Sequence, residues 1–123
     1  MTQKRLQFGK AGEAAAVAFL KKCGYRIVKQ NFRTAVGEID IIAEHKRVVV
    51  FVEVKSRSTV EFGHPSEAVS PAKQRKLAQT AESFLARYPL KDRDMRFDVV
   101  SVSGNPSDPD SLRIEIIEDA FRV

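Results

Sequence analysis

Two periodicities alternate along the chain. Ala16, Val17, Leu20 and Cys23 recur at helical spacing and mark one apolar face. They predict a helix from about Lys10 to Cys23, with Gly24 as its stop. Tyr25 to Arg33 then reads as a strand, with Tyr25, Ile27 and Val28 apolar and Lys29, Gln30 and Asn31 polar. Val36 to Ala43 and Val48 to Lys55 follow as two further strands, both rich in β-branched residues. Their only polar break is His45-Lys46-Arg47, which predicts a tight antiparallel hairpin. Ser56 to Ser70 forms a longer connection carrying Gly63-His64-Pro65. Ser70-Pro71 opens a second helix, a serine cap followed by proline at the first helical position. Leu77, Ala81, Phe84, Leu85 and Tyr88 form its apolar stripe, and Pro89 closes it. Met95 to Ser103 and Leu112 to Glu118 are the last two strands, on either side of the turn-rich segment from Gly104 to Asp110. The order αβββαββ implies an α/β fold, a mixed β-sheet with helices packed on it. No repeat, low-complexity tract or domain boundary interrupts it, so residues 1–123 read as one domain.

Charge inside this pattern is the first sign of chemistry. Asp40, Glu53 and Lys55 stand within apolar strand segments, where an uncompensated carboxylate costs several kcal/mol, roughly. Glu53 and Lys55 share a face because strand side chains alternate. A turn centred on Lys46-Arg47 sets Asp40 opposite Glu53. A turn centred on His45-Lys46 sets Glu38 opposite Glu53 and leaves Asp40 one position away. An odd-length loop or a bulge would break this parity. Two acids and a lysine gathered there suit a metal ion. They would equally suit an internal salt bridge, with Lys55 paired to one acid and the other solvated.

Both helices also start with a polar residue on the face expected to be buried. Glu13 lies three residues before Ala16 and seven before Leu20, and Gln74 lies three before Leu77 and seven before Ala81. Taken singly, Glu13 could simply complement the positive end of its helix dipole, and Gln74 could be a solvated first-turn residue. Two inward polar helix starts beside a charged strand pair point together to a site.

Composition narrows the field. At 123 residues, 43% hydrophobic and 30% charged, the chain has the make-up of a soluble globular domain with a single core. No apolar run approaches a membrane span, and Met1-Thr-Gln-Lys-Arg5 lacks a signal-peptide apolar region. The lone Cys23 cannot form an internal disulfide and is expected as a packed thiol on the helix face. Together these indicate the cytoplasm. A net charge of +5 and a pI near 9.6 favour a polyanionic partner. Neither a zinc-type Cys/His spacing nor a phosphate-cradling glycine motif occurs in the sequence.

Asp40, twelve intervening residues, then Glu53-Val54-Lys55 resembles the PD-(D/E)XK signature of restriction endonuclease-like nucleases. The text from Gly37 to Ile42 and from Val52 to Ser56 is similar to archaeal Holliday junction resolvases. From about Gly9 through Val102 the chain looks closer still to the YraN-like family of small bacterial proteins, described as predicted endonucleases. Ile39 stands where the signature has proline. The resemblance implies a restriction endonuclease-like core in which Asp40, Glu53 and the Val54 carbonyl bind a divalent cation, Mg²⁺ or its substitute Mn²⁺. Glu13 would complete the metal site. Lys55 would orient the attacking water and the scissile phosphate, and Gln74, with Lys73 beside it, would support that phosphate.

Phosphodiester hydrolysis gathers negative charge, which explains these residue types: oxygen ligands hold Mg²⁺, and lysine stabilises developing charge. A lysine beside two carboxylates is expected to retain its proton. Basic residues outside the cluster would grip flanking DNA phosphates, the candidates being Lys10, Arg33, Arg57, Lys73, Arg75 and Lys76. Lys21 and Lys22 read as a solvated helix face, and His64 beside Pro65 as a structural loop residue. The expected activity is a metal-dependent DNA endonuclease acting on branched or damaged DNA. The alternative is a DNA-binding module of the same fold without efficient catalysis. A purely structural interaction domain would leave the inward acids unexplained. The resemblance to junction resolvases, which must cut two strands, also implies a homodimer on DNA.

Overall fold

A computed structural model describes residues 3–57, 69–88, 93–105 and 107–122. Along the chain come α1 (Gln3–Lys22), β1 (Arg26–Arg33), β2 (Glu38–His45), β3 (Val48–Arg57), α2 (Pro71–Arg87), β4 (Met95–Ser103) and β5 (Arg113–Phe121), with a 3-10 turn at Pro109–Ser111. The strands form one five-stranded sheet in the order β1-β2-β3-β4-β5. Neighbours run antiparallel except β3 and β4, which are parallel. Parallel neighbours need a crossover, and α2 lies in the segment joining them.

The sheet is covered on both faces. Ile42, Val49, Phe51, Phe97 and Val99 pack with Leu77, Ala81 and Phe84 of α2. Ile41, Ala43, Val50, Val52, Val100 and Val102 pack with Ala16 and Leu20 of α1. Alternate residues of β3 thus enter opposite cores, which explains its near-continuous run of valine and phenylalanine. Among the described residues, no helix is long and apolar enough to cross a membrane.

Helix α2 starts and stops where its residues predict. The Ser70 hydroxyl accepts from the Lys73 N–H, Pro71 holds the first helical position, and Tyr88 caps the far end. Strand β4 keeps the expected bounds Met95–Ser103. Other boundaries move. Helix α1 begins at Gln3 rather than near Lys10, since Gln, Lys, Arg and Leu propagate a helix well and Gly9 alone does not break it. Strand β5 runs past Glu118 to Phe121, whose ring stacks on Phe97 at 5.0 Å between centroids. Cys23 is exposed rather than packed. The helix has ended by then, and Gly24, at φ +90°, turns the chain away from the apolar stripe. The loop with Gly63, His64 and Pro65 lies outside the described residues, as does Pro89.

A second polar cluster lies on the α1 face. Asp98, fully buried, accepts from Tyr25 Oη at 2.9 Å, from Arg96 Nε at 2.9 Å and from the Asp119 N–H at 2.9 Å. Arg96 also donates to His45 Nδ1 at 2.9 Å, and the Tyr25 and His45 rings stack at 4.1 Å. Burial, with the Asp98 carboxylate, pushes the Tyr25 phenol well above its ordinary value. A bulge in β5 delivers the Asp119 N–H: one residue separates Phe97 from Val99, but three separate their partners Ile117 and Phe121.

The β2–β3 hairpin fixes the register on which the site depends. His45 pairs with Val48, so the turn is Lys46-Arg47, with φ of 51° and 69°. Both φ values are left-handed, as in a type I′ turn, which favours Asn-Gly. Side chains with a Cβ pay about 1 kcal/mol or more there. The Lys46→Asn/Arg47→Gly double variant should therefore raise the thermal midpoint by roughly 3–8 °C, and a scanning calorimeter would register it. An unchanged or lower midpoint would show that the two side chains make compensating contacts.

Candidate functional site

The hairpin register places the acids. Ile41↔Val52 is the last registered pair of β2 and β3, and the same register carried one step further sets Asp40 across from Glu53. Of the two turn positions the sequence allows, the structure selects the one facing Asp40 with Glu53. Beyond that pair, the Val54 N–H donates to Asp40 Oδ2 at 2.8 Å. Face alternation in β2 breaks at this point, since Ile39 and Ile42 enter the α2-side core while Ile41 enters the other. Gly37 lets the start of β2 approach α2 closely: a Cβ there would stand 3.3 Å from Thr80 Oγ1.

Glu53 projects to the α2 side, in phase with Val49 and Phe51, and is buried. Two ammonium groups converge on it. Lys73 Nζ lies 2.6 Å from Glu53 Oε1 and Lys55 Nζ lies 3.8 Å from the same oxygen. Gln74 turns elsewhere, its Nε2 donating to the Val69 carbonyl at 3.0 Å and securing the entry to α2. The reason is a rotation of the buried stripe. Thr80 is buried and Tyr88 exposed, so the inward face runs through Leu77, Thr80, Ala81 and Phe84. Lys73 stands four before Leu77 and seven before Thr80, which puts it at the head of that face. Treating threonine as a candidate core residue would have revealed this.

Burial, and then the Glu53 charge, push the Asp40 carboxyl up to about 7, against the pull of the Val54 N–H. Glu13 and Glu38 add smaller repulsions. Burial, followed by the neighbouring Lys73, holds Lys55 below the ordinary lysine value. The attraction of Glu53 and Asp40 opposes this without reversing it, and the second ammonium group, Lys73, is an influence the sequence did not reveal. Burial also penalises charge on Lys73, but its hydrogen bond and attraction to Glu53 prevail and hold it above its ordinary value. The Glu13 carboxyl is raised, chiefly by burial, against a lowering influence of the Asn31 side chain.

Among the described residues, no three of His, Cys, Asp and Glu are grouped as a ready metal cage. The convergent acids are two, Asp40 and Glu53. That pair suits a hard cation such as Mg²⁺, which binds through one or two carboxylates and keeps several waters. Val54 contributes its N–H to orienting Asp40.

The expected DNA contacts scatter around this centre. Lys10, Arg75 and Lys76 are exposed. Arg33 is exposed and pairs with Glu38 at 3.2 Å. Arg57 ends β3, and its side chain lies outside what the structure describes. Lys73 belongs to the acidic centre rather than to the outer ring.

Residues 12–102 match the uncharacterised protein family UPF0102, the YraN-like group. Similar chains include a UPF0102 protein of Chloroherpeton thalassium, 45% identical over 121 residues, covering 94% of each chain. One from Caldicellulosiruptor saccharolyticus is 48% identical over 115 residues, covering 94% of this chain and 97% of its own. One from Symbiobacterium thermophilum is 49% identical over 115 residues, covering 94% and 96%.

The raised Asp40 value makes a prediction for stability. A carboxyl with a folded pKa of about 7 and an ordinary value of 3.8 favours the folded state most when protonated. That contribution is complete below about pH 4 and is lost as pH rises to about 7. In chelator, Asp40→Asn should therefore melt several degrees above wild type at pH 8, with the gap closing toward pH 4. A gap that instead widened in acid would mean the native fold prefers the ionised carboxylate.

Proposed function

The chain belongs to the uncharacterised protein family UPF0102, and we propose that it is a metal-dependent DNA endonuclease with a restriction endonuclease-like α/β core. The observation that carries the reading is the meeting of Asp40 and Glu53 on adjacent strands, with Lys55 and Lys73 converging on Glu53. An acid pair with Glu53 buried and Asp40 half-buried is expensive as a structural element, and a cation that polarises a phosphate gives it a purpose.

In this reading Asp40 and Glu53 hold Mg²⁺, with Mn²⁺ as a substitute. The bound ion supplies Lewis acidity and an activated water. The Val54 N–H fixes the rotamer of Asp40. Lys55, on the strand beside Glu53, orients the water and meets charge developing on the scissile phosphate. Gln74 acts at one remove by tying the Val69 carbonyl to the first turn of α2. Exposed Lys10, Arg33, Arg75 and Lys76 attract the DNA backbone, in keeping with the net charge of +5. The resemblance to junction resolvases points to branched or damaged DNA as substrate.

The test is cleavage of labelled junction, flap, nicked and linear DNA with Mg²⁺ or Mn²⁺, then with chelator. Asp40→Ala and Glu53→Ala should each abolish metal-dependent cutting while leaving metal-free DNA binding equal or stronger. Lys55→Ala should slow turnover about 10²–10³-fold, the scale of one preorganised charge stabiliser. Gln74→Ala should have a smaller effect, because it holds a helix start rather than the phosphate. If the variants cut as well as wild type, the activity is a contaminant and the site assignment is wrong. The pairing of Glu53 with Lys73 keeps a DNA-binding module without turnover as the second reading. Salt-sensitive DNA binding with no Mg²⁺-dependent cleavage would select it.

Cutting both strands of a junction takes two such sites, which a homodimer provides. Light scattering should find a dimer on junction DNA. A monomer both free and DNA-bound would remove this part of the proposal.

A further inference from the structure

We propose that Lys73 is a built-in counter-ion of the acidic centre, one that occupies Glu53 until a divalent cation displaces it. The proposal rests on the metal-dependent reading above and adds a role for one side chain.

Position and reach single out Lys73. Its ammonium lies 2.6 Å from Glu53 Oε1, closer than Lys55 at 3.8 Å, and both address the same oxygen. The two lysines differ in freedom. Lys55 stands on β3 with its side chain 22% exposed, whereas Lys73 stands on the first turn of α2 with its side chain 41% exposed. The more exposed Lys73 has room to swing outward about its long stem, and the less exposed Lys55 has less. A cation in a first helical turn also meets the positive end of the helix dipole. Lys73 therefore sits there against a local preference, which its bond to Glu53 offsets.

Charge balance gives the same order of events. With both acids ionised, two carboxylates and two ammonium groups are matched without any added ion. A divalent cation entering between Asp40 and Glu53 leaves two surplus positive charges if both lysines stay. With Lys73 turned out, one surplus charge remains at the centre, equal to the charge of one phosphodiester. The displaced ammonium then becomes a free donor at the rim, where an incoming phosphate can take it. Metal and DNA would thereby favour each other's binding, since each relieves what the other leaves unpaired.

The test is Mn²⁺ affinity without DNA, measured by isothermal titration calorimetry on wild type, Lys73→Met, Lys73→Gln and Asp40→Asn. Removing a competing charged hydrogen bond should tighten Mn²⁺ binding by about 10-fold or more in both Lys73 variants. Lys76→Met, which removes an exposed charge one turn further along α2, should change it by less than about 2-fold, the size expected of a screened surface charge. Lys73→Gln keeps a donor for Glu53, so it decides the matter if Lys73→Met does not fold. Equal or weaker Mn²⁺ binding in the folded Lys73 variants would overturn the proposal. If wild type binds Mn²⁺ and Asp40→Asn does not, the metal site stands whatever the Lys73 variants do. If neither wild type nor the Lys73 variants bind Mn²⁺, the metal site falls and this inference falls with it.

Discussion

A carboxylate on a central strand covered on both faces must be compensated, and the architecture around Glu53 follows from that requirement. Strand β3 sends Val49 and Phe51 into one core and Val50 and Val52 into the other, so Glu53 continues a line of buried side chains. At that depth a lone negative charge costs several kcal/mol, roughly. Lys73 is brought to it by α2, the helix that links the parallel strands β3 and β4. The crossover thus closes the apolar core on that face and also carries the cation to Glu53. The hairpin turn at Lys46-Arg47 sets the opposing strand so that the second acid, Asp40, arrives at the same place.

The neighbouring strand carries the control. Arg96-Phe97-Asp98 on β4 has the same charged-apolar-charged rhythm as Glu53-Val54-Lys55 on β3, and the two strands lie side by side. The outcomes differ because of what meets each acid. Asp98 is surrounded by the Tyr25 hydroxyl, the Arg96 guanidinium and the Asp119 N–H, donors supplied by three separate parts of the chain. Among the described residues, no buried side-chain polar atom is left without a partner. That group is a finished internal network of the kind that specifies a core. Asp40, by contrast, accepts from the Val54 N–H and faces the charge of Glu53, which helps push its carboxyl up to about 7. Repulsion retained between two acids is what a cation would relieve, whereas Asp98 offers nothing further to bind.

How much was legible follows from the same comparison. Periodicity placed α2 and β4 closely, because Ser70-Pro71 and the near-alternating, valine-rich text of β4 leave few alternatives. Alternation in the hairpin was enough to bring Asp40, Glu53 and Lys55 together once a two-residue turn was assumed. What was misread was the rotation of α2, which depends on Thr80 being buried with its hydroxyl bonded to the Lys76 carbonyl. With threonine counted as polar, the stripe points to Gln74 as the inward residue and leaves Lys73 beside it as a phosphate contact. The Asp98 network was missed for a different reason. Its partners lie 73 residues away at Tyr25 and across a bulge at Asp119, distances that no local pattern encodes. Cys23 failed at a boundary, one residue past the helix whose face it seemed to extend.

In the nuclease reading proposed above, the electrostatic state of the centre also bears on how a small basic protein would keep such a site from acting indiscriminately. Its overall charge of +5 draws polyanions regardless of sequence. In that reading, unpaired carboxylates at the centre would repel the phosphate of an approaching DNA strand. Lys73 cancels part of that repulsion, and its partial exposure leaves it able to change partners. Lys55 is the more distant partner, 3.8 Å from the same oxygen, and less exposed. The two lysines are therefore unequal members of one centre. One is fixed beside Glu53 on the strand, and the other reaches the same oxygen from a helix that also borders the exposed basic residues Arg75 and Lys76. A phosphate approaching along α2 would meet those surface charges first and Lys73 next, which connects non-specific attraction at the surface to the acid pair beneath it.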